Sequence, residues 1–274
     1  MNRYSDSHLC KCGNCGFVFS IKIPTPLELV SFYDNEYDLT RYFSPVTKKR
    51  YEELLDLFEP YRKTNKILDI GCGYGFFLEV AKEKGWEVYG VDLSKKAALI
   101  CESKGITTHN GTIETSDFTD ESFDVVIGIE VLEHVNTPNS FIEQTLKTLR
   151  KGGVTYITTP NFNSYLRYKL KEKYDVIDYP NHLCYFTSKT LRKAFEDKGF
   201  TTKSIKTTGI SVTRVKTSKG KSNQEFVSET SDDEMLRYRI EKNAILRGTK
   251  HAVNFGLSSV KIGHNIKGFF IKKN

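Results

Sequence analysis

Apolar positions along the chain switch between a strand-like run and a helical spacing. Ile67, Leu68 and Ile70 form a short buried run that passes without a linker into glycines at alternate positions, Gly71, Gly73 and Gly75. Phe76, Phe77, Val80 and Ala81 then recur at helical spacing, and Lys84 with Gly85 supplies a basic last turn and a stop. A second strand, Glu87 to Val91, ends in Asp92. Downstream, Ser94 caps a helix through Cys101 that Gly105 stops, and a short strand is predicted near Ile106 to Thr108. Phe123 to Ile129 is apolar almost throughout, as in a strand buried on both faces. Asn136, Thr137 and Pro138 open a helix whose buried face includes Phe141, Ile142, Thr145, Leu146 and Leu149. Residues 150–153 end it before a strand over Val154 to Thr159. Thr187 or Ser188 caps a helix ending at Gly199, and a strand follows over Thr202 to Val212. Ser231 and Glu234 form a capping box for a helix through Arg247, stopped by Gly248, and Ile266 to Ile271 is the last strand. Before the first glycine, Tyr51, Leu54, Leu55 and Phe58 mark a helix ended by Pro60. Strands alternating with helices predict an α/β fold around a largely parallel sheet.

Length adds that one sizeable core with appendages fits the 274 residues. Of the formal charge of +7, the whole excess lies in Ser211 to Asn274, with 13 Lys or Arg against 6 Asp or Glu. A solvated surface is the favoured reading of that excess, with a patch for an anionic partner as the alternative. Basic runs interleaved with aromatics are missing, so nucleic acid is not an expected partner. No apolar run approaches the roughly 18 residues of a membrane helix, and the N-terminus has no signal-peptide core. A cytoplasmic location is the expectation.

The chemistry centres on the glycine loop. Glycines let a ligand lie against amides at a helix N-terminus, and an acid at the neighbouring strand tip accepts hydrogen bonds from both hydroxyls of a ribose. Asp92, 21 residues after Gly71, has that position. Where a dinucleotide loop carries its third glycine this chain has Phe76, and Asp69 closes the strand. A carboxylate there opposes a pyrophosphate and favours a ligand with an ammonium and a sulfonium.

Asp69, Gly71, Gly73, Gly75 and Asp92 resemble the first motifs of a class I S-adenosylmethionine (SAM) dependent methyltransferase. The pairing of Ser122-Phe-Asp-Val-Val126 with Glu130-Val-Leu-Glu133-His134-Val resembles a later motif of its small-molecule members, and Pro180, Asn181, His182, Leu183 and Phe186 resemble a segment bordering their acceptor pocket. The resemblance implies a Rossmann-like seven-stranded sheet with an antiparallel last strand. Asp69 and the three glycines would hold the methionine part of SAM, Asp92 the ribose, Leu93 and Ile113 the adenine, and Glu130 the amine side. Thr112 replaces the acid common after Gly111 in this family.

His134 and His182 are candidate bases for an acceptor hydroxyl, with helix capping or packing as the competing reading of each. Tyr33, Tyr37, Tyr42 and Phe43 are dense enough to form either a lid or ordinary packing. Cys12 and Cys15 have the form of one zinc knuckle, and the segment resembles half of the zinc ribbon on some bacterial methyltransferases. A metal-free remnant is favoured over a zinc site completed by Cys10 and His8. Cys72, Cys101 and Cys184 read as single buried apolar residues. The domain expectation is a knuckle remnant over 1–23 and a methyltransferase domain over 24–274, with an insertion over 213–262. The functional expectation is methyl transfer to an oxygen of a sugar, glycan or metabolite. A catalytically silent SAM-binding protein and an NAD(P)-dependent oxidoreductase are the alternatives.

Overall fold

The computed structural model describes residues 4, 8–25, 28–29, 41–210 and 232–273. Tyr33, Tyr37, Ser231 and the polar stretch from Lys216 to Ser228 lie outside them. Two short strands, β1 (Leu9–Lys11) and β2 (Val18–Ser20), precede helix α1 (Pro45–Phe58). The alternating body follows as β3 (Lys66–Ile70), α2 (Phe76–Glu83), β4 (Glu87–Asp92), α3 (Lys95–Ser103) and β5 (Thr107–Asn110). It continues through β6 (Phe123–Ile129), α4 (Pro138–Thr148), β7 (Leu149–Pro160), α5 (Tyr165–Leu170), β8 (Cys184–Tyr185) and α6 (Ser188–Glu196). The chain closes with β9 (Phe200–Thr208), α7 (Asp232–Lys242), α8 (Ala244–Ser259) and β10 (Asn265–Lys272).

The main sheet has seven strands in the order β5-β4-β3-β6-β7-β10-β9. The first five are parallel, and β10 runs antiparallel to both β7 and β9. The order reverses at β3, which pairs with β4 on one side and β6 on the other. In such sheets the crevice at the carboxyl ends of these strands is where ligands bind. Register brings Ile70 level with Val91 and Gly128, so the glycine loop, Asp92 and the segment after Ile129 emerge side by side.

Strand β6 matches its predicted bounds because each of its faces is covered. Val126 packs into one core cluster with Phe141, Leu191 and Phe270, while Val125 and Ile127 pack into the other with Leu55, Phe58 and Leu78. Asp124, the second residue of the strand, is fully buried and accepts from the amides of Lys63 and Asn65 at 2.7 and 2.8 Å and from Arg150 Nε at 2.5 Å. It ties the segment entering β3 to the start of β7. Burial pushes its carboxyl up, but Arg150 and the amides of Lys63, Thr64 and Asn65 outweigh it and hold the group below its ordinary value.

Three boundaries differ from the pattern. Leu149 begins β7 rather than ending α4, because β7 pairs there with Phe123 before a register shift passes over Gly152 and Gly153. Gly248 does not stop a helix: the break is at Asn243, whose side chain accepts from the amides of Ile245 and Leu246 and starts α8, which runs through Gly248 and Gly256. β9 starts two residues early and ends at Thr208. The N-terminal hairpin is joined to the body, since β2 pairs with β8 in a three-stranded sheet.

Candidate functional site

A cavity of about 760 Å³ opens at the carboxyl ends of β3, β4 and β6. Gly71, Asp92, Leu93, Ile113, Glu130 and His134 all line it, as do Glu114 and Asn181. Asp69, Gly73, Gly75 and His182 are not among its lining residues. The glycine loop is shaped by positive φ at Gly71 (71°), Gly73 (52°) and Gly75 (71°), a region that L side chains avoid. At Gly71 the close approach is also steric: a Cβ there would run into Val131 Cγ2 and lie 3.4 Å from Cγ1.

Asp92 is buried, and its two carboxylate oxygens accept from the amides of Gly73 and Ser94, each at 2.9 Å. The glycine loop and α3 thus fix the acid at the cavity wall. Leu93 and Ile113 flank it, and Phe141 of α4 adds an apolar face. Asp69 lies beneath the loop with its Oδ1 buried and without a hydrogen-bond partner among the described residues. Burial, then the nearby Cys101 and Asp92, push its carboxyl well above the usual range. These features fit SAM: an acid for the ribose, apolar walls for the adenine, and an orphaned carboxyl oxygen in the strand that leads into the glycine loop.

Glu130 sits at φ 55°, outside the ordinary region for a non-glycine residue. Its amide donates to Thr158, whose hydroxyl donates back to Glu130 Oε1 at 2.7 Å, and Asn265 Nδ2 reaches the same oxygen at 3.3 Å. Neither Thr158 nor Asn265 carries a sequence signal for this role, because both come from strands that only the sheet brings to β6.

His134 Nδ1 donates to the Asn181 carbonyl at 2.8 Å and His182 Nδ1 donates to the Val176 carbonyl at 2.6 Å, since a carbonyl can only accept. The two rings meet edge to face with centroids 4.7 Å apart. Glu133, 2% exposed, accepts from Thr159 at 2.8 Å and places Oε1 3.8 Å from His134 Nε2. Ligand-capable atoms of Glu133, His134 and His182 all lie within 4.8 Å of one another, the grouping of this kind among the described residues. Burial, then the adjacent His182, push His134 down to about 4, while burial, then Glu130, push Glu133 well above the usual carboxyl range. The pair therefore rests with an unprotonated imidazole at neutral pH. The tie to Asn181 explains why two segments far apart in sequence, around His134 and His182, meet: Leu183 and Cys184 both donate to the Glu133 carbonyl.

Residues around the cavity that the sequence reading did not single out include Val131, Val135, Ser140 and Leu29. Val131 follows Glu130 and Val135 follows His134 in the chain, so the motif itself held the signal. Phe43 stacks on Phe76 at 4.4 Å rather than over the cavity, the packing alternative of its two readings. Cys12 and Cys15 share the turn between β1 and β2, but the ring of His8 packs edge-on against Tyr179 and the three N-terminal cysteines do not assemble a ligand cluster among the described residues. Cys72 and Cys101 are not single: their sulfurs are 3.8 Å apart. Among the described residues no helix is long and apolar enough to cross a membrane.

Comparison with known proteins gives one family and one fold. The model of the Methyltransferase domain family matches residues 42–205. A ubiquinone biosynthesis O-methyltransferase of Idiomarina loihiensis is 35% identical over 105 residues, which are 36% of this chain and 43% of that protein. One from Ruegeria sp. is 38% identical over 104 residues, 36% of this chain and 42% of that protein. The chain thus spans less than half the length of the curated relatives it matches. Among solved structures, a SAM dependent methyltransferase from Archaeoglobus fulgidus superposes with a TM-score of 0.57 at 21% identity, covering 88% of this chain and 99% of that one. A sarcosine dimethylglycine methyltransferase structure from Galdieria sulphuraria gives 0.56 at 17% identity, covering 90% and 98%. With the seven-stranded order, the glycine loop and the family match over most of the sheet in agreement, the chain belongs to the Methyltransferase domain family and has the class I SAM-dependent methyltransferase fold.

Proposed function

We propose that the protein transfers the methyl group of SAM to an oxygen of a small-molecule acceptor. The observation that carries this reading is one cavity lined by Gly71, Asp92 and Ile113 together with Glu130, His134 and Asn181. Bound SAM supplies an electrophilic methyl on a sulfonium. The chain's own work is alignment and proton handling. Asp92, fixed by two amides, holds the ribose; Leu93 and Ile113 enclose the adenine; Glu130 faces the charged methionine end, where the Asp69 expected from sequence is not among the lining residues.

His134 presents its acceptor nitrogen Nε2, because Nδ1 carries the proton donated to Asn181. It takes the proton of the acceptor hydroxyl, and His182 holds it in place edge-on. The relatives named as ubiquinone biosynthesis O-methyltransferases support oxygen as the acceptor atom. Val131 and Val135 beside His134 make that part of the wall apolar, which, of the sugar, glycan or metabolite acceptors expected from sequence, suits a metabolite with a hydroxylated ring best.

The test is calorimetric titration with S-adenosylhomocysteine of wild type and Asp92→Ala, followed by methyl transfer to a panel of hydroxylated rings and sugars. Losing two hydrogen bonds to a charged acceptor, each about 1.5–3 kcal/mol, predicts affinity at least ~100-fold weaker in the variant. His134→Gln is expected to lower kcat by roughly 10²–10⁴. Equal binding by wild type and Asp92→Ala would remove the cofactor assignment, and unchanged turnover in His134→Gln would remove the base.

A further inference from the structure

Cys72 is the residue between the first two glycines of the loop, and Cys101 is in α3, 29 positions later. Their sulfurs are 3.8 Å apart, both residues are free thiols, and they are 7% and 0% exposed. Both sulfurs lean on bare backbone. A Cβ on Gly90 would come 2.7 Å from Cys72 Sγ, and a Cβ on Gly75 would come 2.9 Å from Cys101 Sγ. Cys101 Sγ also lies 3.3 Å from the Gly73 carbonyl, and the Gly73 amide is the donor that holds Asp92 Oδ2. The thiol pair therefore flanks the same glycine whose amide orients the ribose acid.

We infer that Cys72 and Cys101 are a redox modification site, oxidised by a peroxide to a disulfide that distorts the glycine loop and weakens binding of the adenosyl cofactor. The inference rests on the assignment of the cofactor to this loop. A disulfide needs sulfurs about 2.0 Å apart, so the pair must close by roughly 1.8 Å. Cys101 belongs to a helix capped by Ser94 and anchored in the core, whereas Cys72 belongs to a loop with glycines at positive φ on both sides. The loop therefore moves and the helix stays. Drawing Cys72 toward α3 shifts the Gly73 peptide, and with it one of the two amides that fix Asp92.

The chemistry balances with hydrogen peroxide as the two-electron oxidant. The thiolate of one cysteine attacks a peroxide oxygen, the O–O bond breaks, and a sulfenic acid and one water form. The second thiol then displaces the hydroxyl from the sulfenic sulfur, forming the S–S bond and a second water. The hydrogen bond between the sulfurs stabilises a thiolate on one of them, the form that attacks the peroxide. The enclosure of both sulfurs favours a small oxidant such as hydrogen peroxide over a thiol–disulfide carrier.

The test uses the full chain reduced with dithiothreitol, then treated with hydrogen peroxide. Peptide mass spectrometry reads the cross-link, and calorimetry reads affinity for S-adenosylhomocysteine before treatment, after it and after renewed reduction. The expected result is a peptide joining Cys72 to Cys101, two hydrogens lighter than its parts, with affinity at least tenfold weaker and restored by reduction. In Cys101→Ala, and in Cys101→Ser should the alanine variant not fold, peroxide is expected to leave affinity at its untreated value. Absence of the cross-linked peptide, a cross-link without loss of affinity, or an equal loss in the Cys101 variants would each overturn the inference. Reduced wild type that does not bind S-adenosylhomocysteine would instead overturn the cofactor assignment on which the inference rests.

Discussion

Replacing Gly71 by alanine isolates what the loop geometry costs any other residue. Two separate penalties are visible. The φ of 71° puts an L residue in the left-handed region, worth about 1–2 kcal/mol. The added methyl also runs into Val131, a β-branched residue with restricted χ1, and overpacking of this kind costs about 1–3 kcal/mol. Together they predict a loss of about 2–5 kcal/mol. For a chain of this size that lowers Tm by about 4–20 °C. Because Gly71 lines the cavity, S-adenosylhomocysteine affinity should fall too. Urea unfolding of Gly71→Ala, Val131→Ala and the double variant separates the two penalties. The steric one vanishes when Val131 is trimmed, so the double variant should be more stable than additivity predicts by about 1–3 kcal/mol, while the backbone one remains. Gly256→Ala is the control: it lies in α8 with nothing within 4 Å of a new Cβ, and should stabilise by up to about 1 kcal/mol. A Gly71→Ala loss below about 0.5 kcal/mol, or strict additivity with Val131→Ala, would refute the account of the loop.

Asp124→Ala leaves Arg150 and two amides without their acceptor and is expected to cost about 3–5 kcal/mol in urea unfolding. Since Asp124 is held below its ordinary value in the fold, its contribution is present above the unfolded pKa and lost as pH falls below about 4, so the gap between wild type and variant should narrow there and not at higher pH. His134, held down to about 4, should show no NMR titration of its ring between pH 5 and 8, whereas a midpoint near 6.5 would contradict its burial. Burial raises the Asp69 carboxyl, so its charged form grows as pH rises; if Asp69 serves the cofactor's ammonium, affinity for S-adenosylhomocysteine measured by calorimetry should rise with pH, and a flat profile would remove that role.

The sequence by itself determined the elements whose signals are local. Ile67 to Ile70 passing into three glycines, the cap at Ser94 and the doubly buried run from Phe123 to Ile129 specify strand, turn and helix within a few residues of each other, and the structure keeps them. The positions of Gly71, Asp92, Leu93, Ile113 and Glu130 at one cavity also follow, because in a parallel sheet successive strand tips point to the same edge. Tertiary structure decided the rest. Leu149 fits a helix face by spacing, yet pairing with Phe123 makes it the first residue of β7. Gly248 is a helix stop only if no better break lies nearby, and the Asn243 side chain supplies one. Glu130 is held by Thr158 and Asn265, and His134 by the Asn181 carbonyl, across separations of 28, 135 and 47 residues that no local pattern records. Cys72 and Cys101 each look like a small apolar residue in the chain, and only the packing of α3 behind the glycine loop brings their sulfurs together. Local preferences act over a turn or a strand, while contacts between distant segments depend on sheet order and register, which the whole core sets at once.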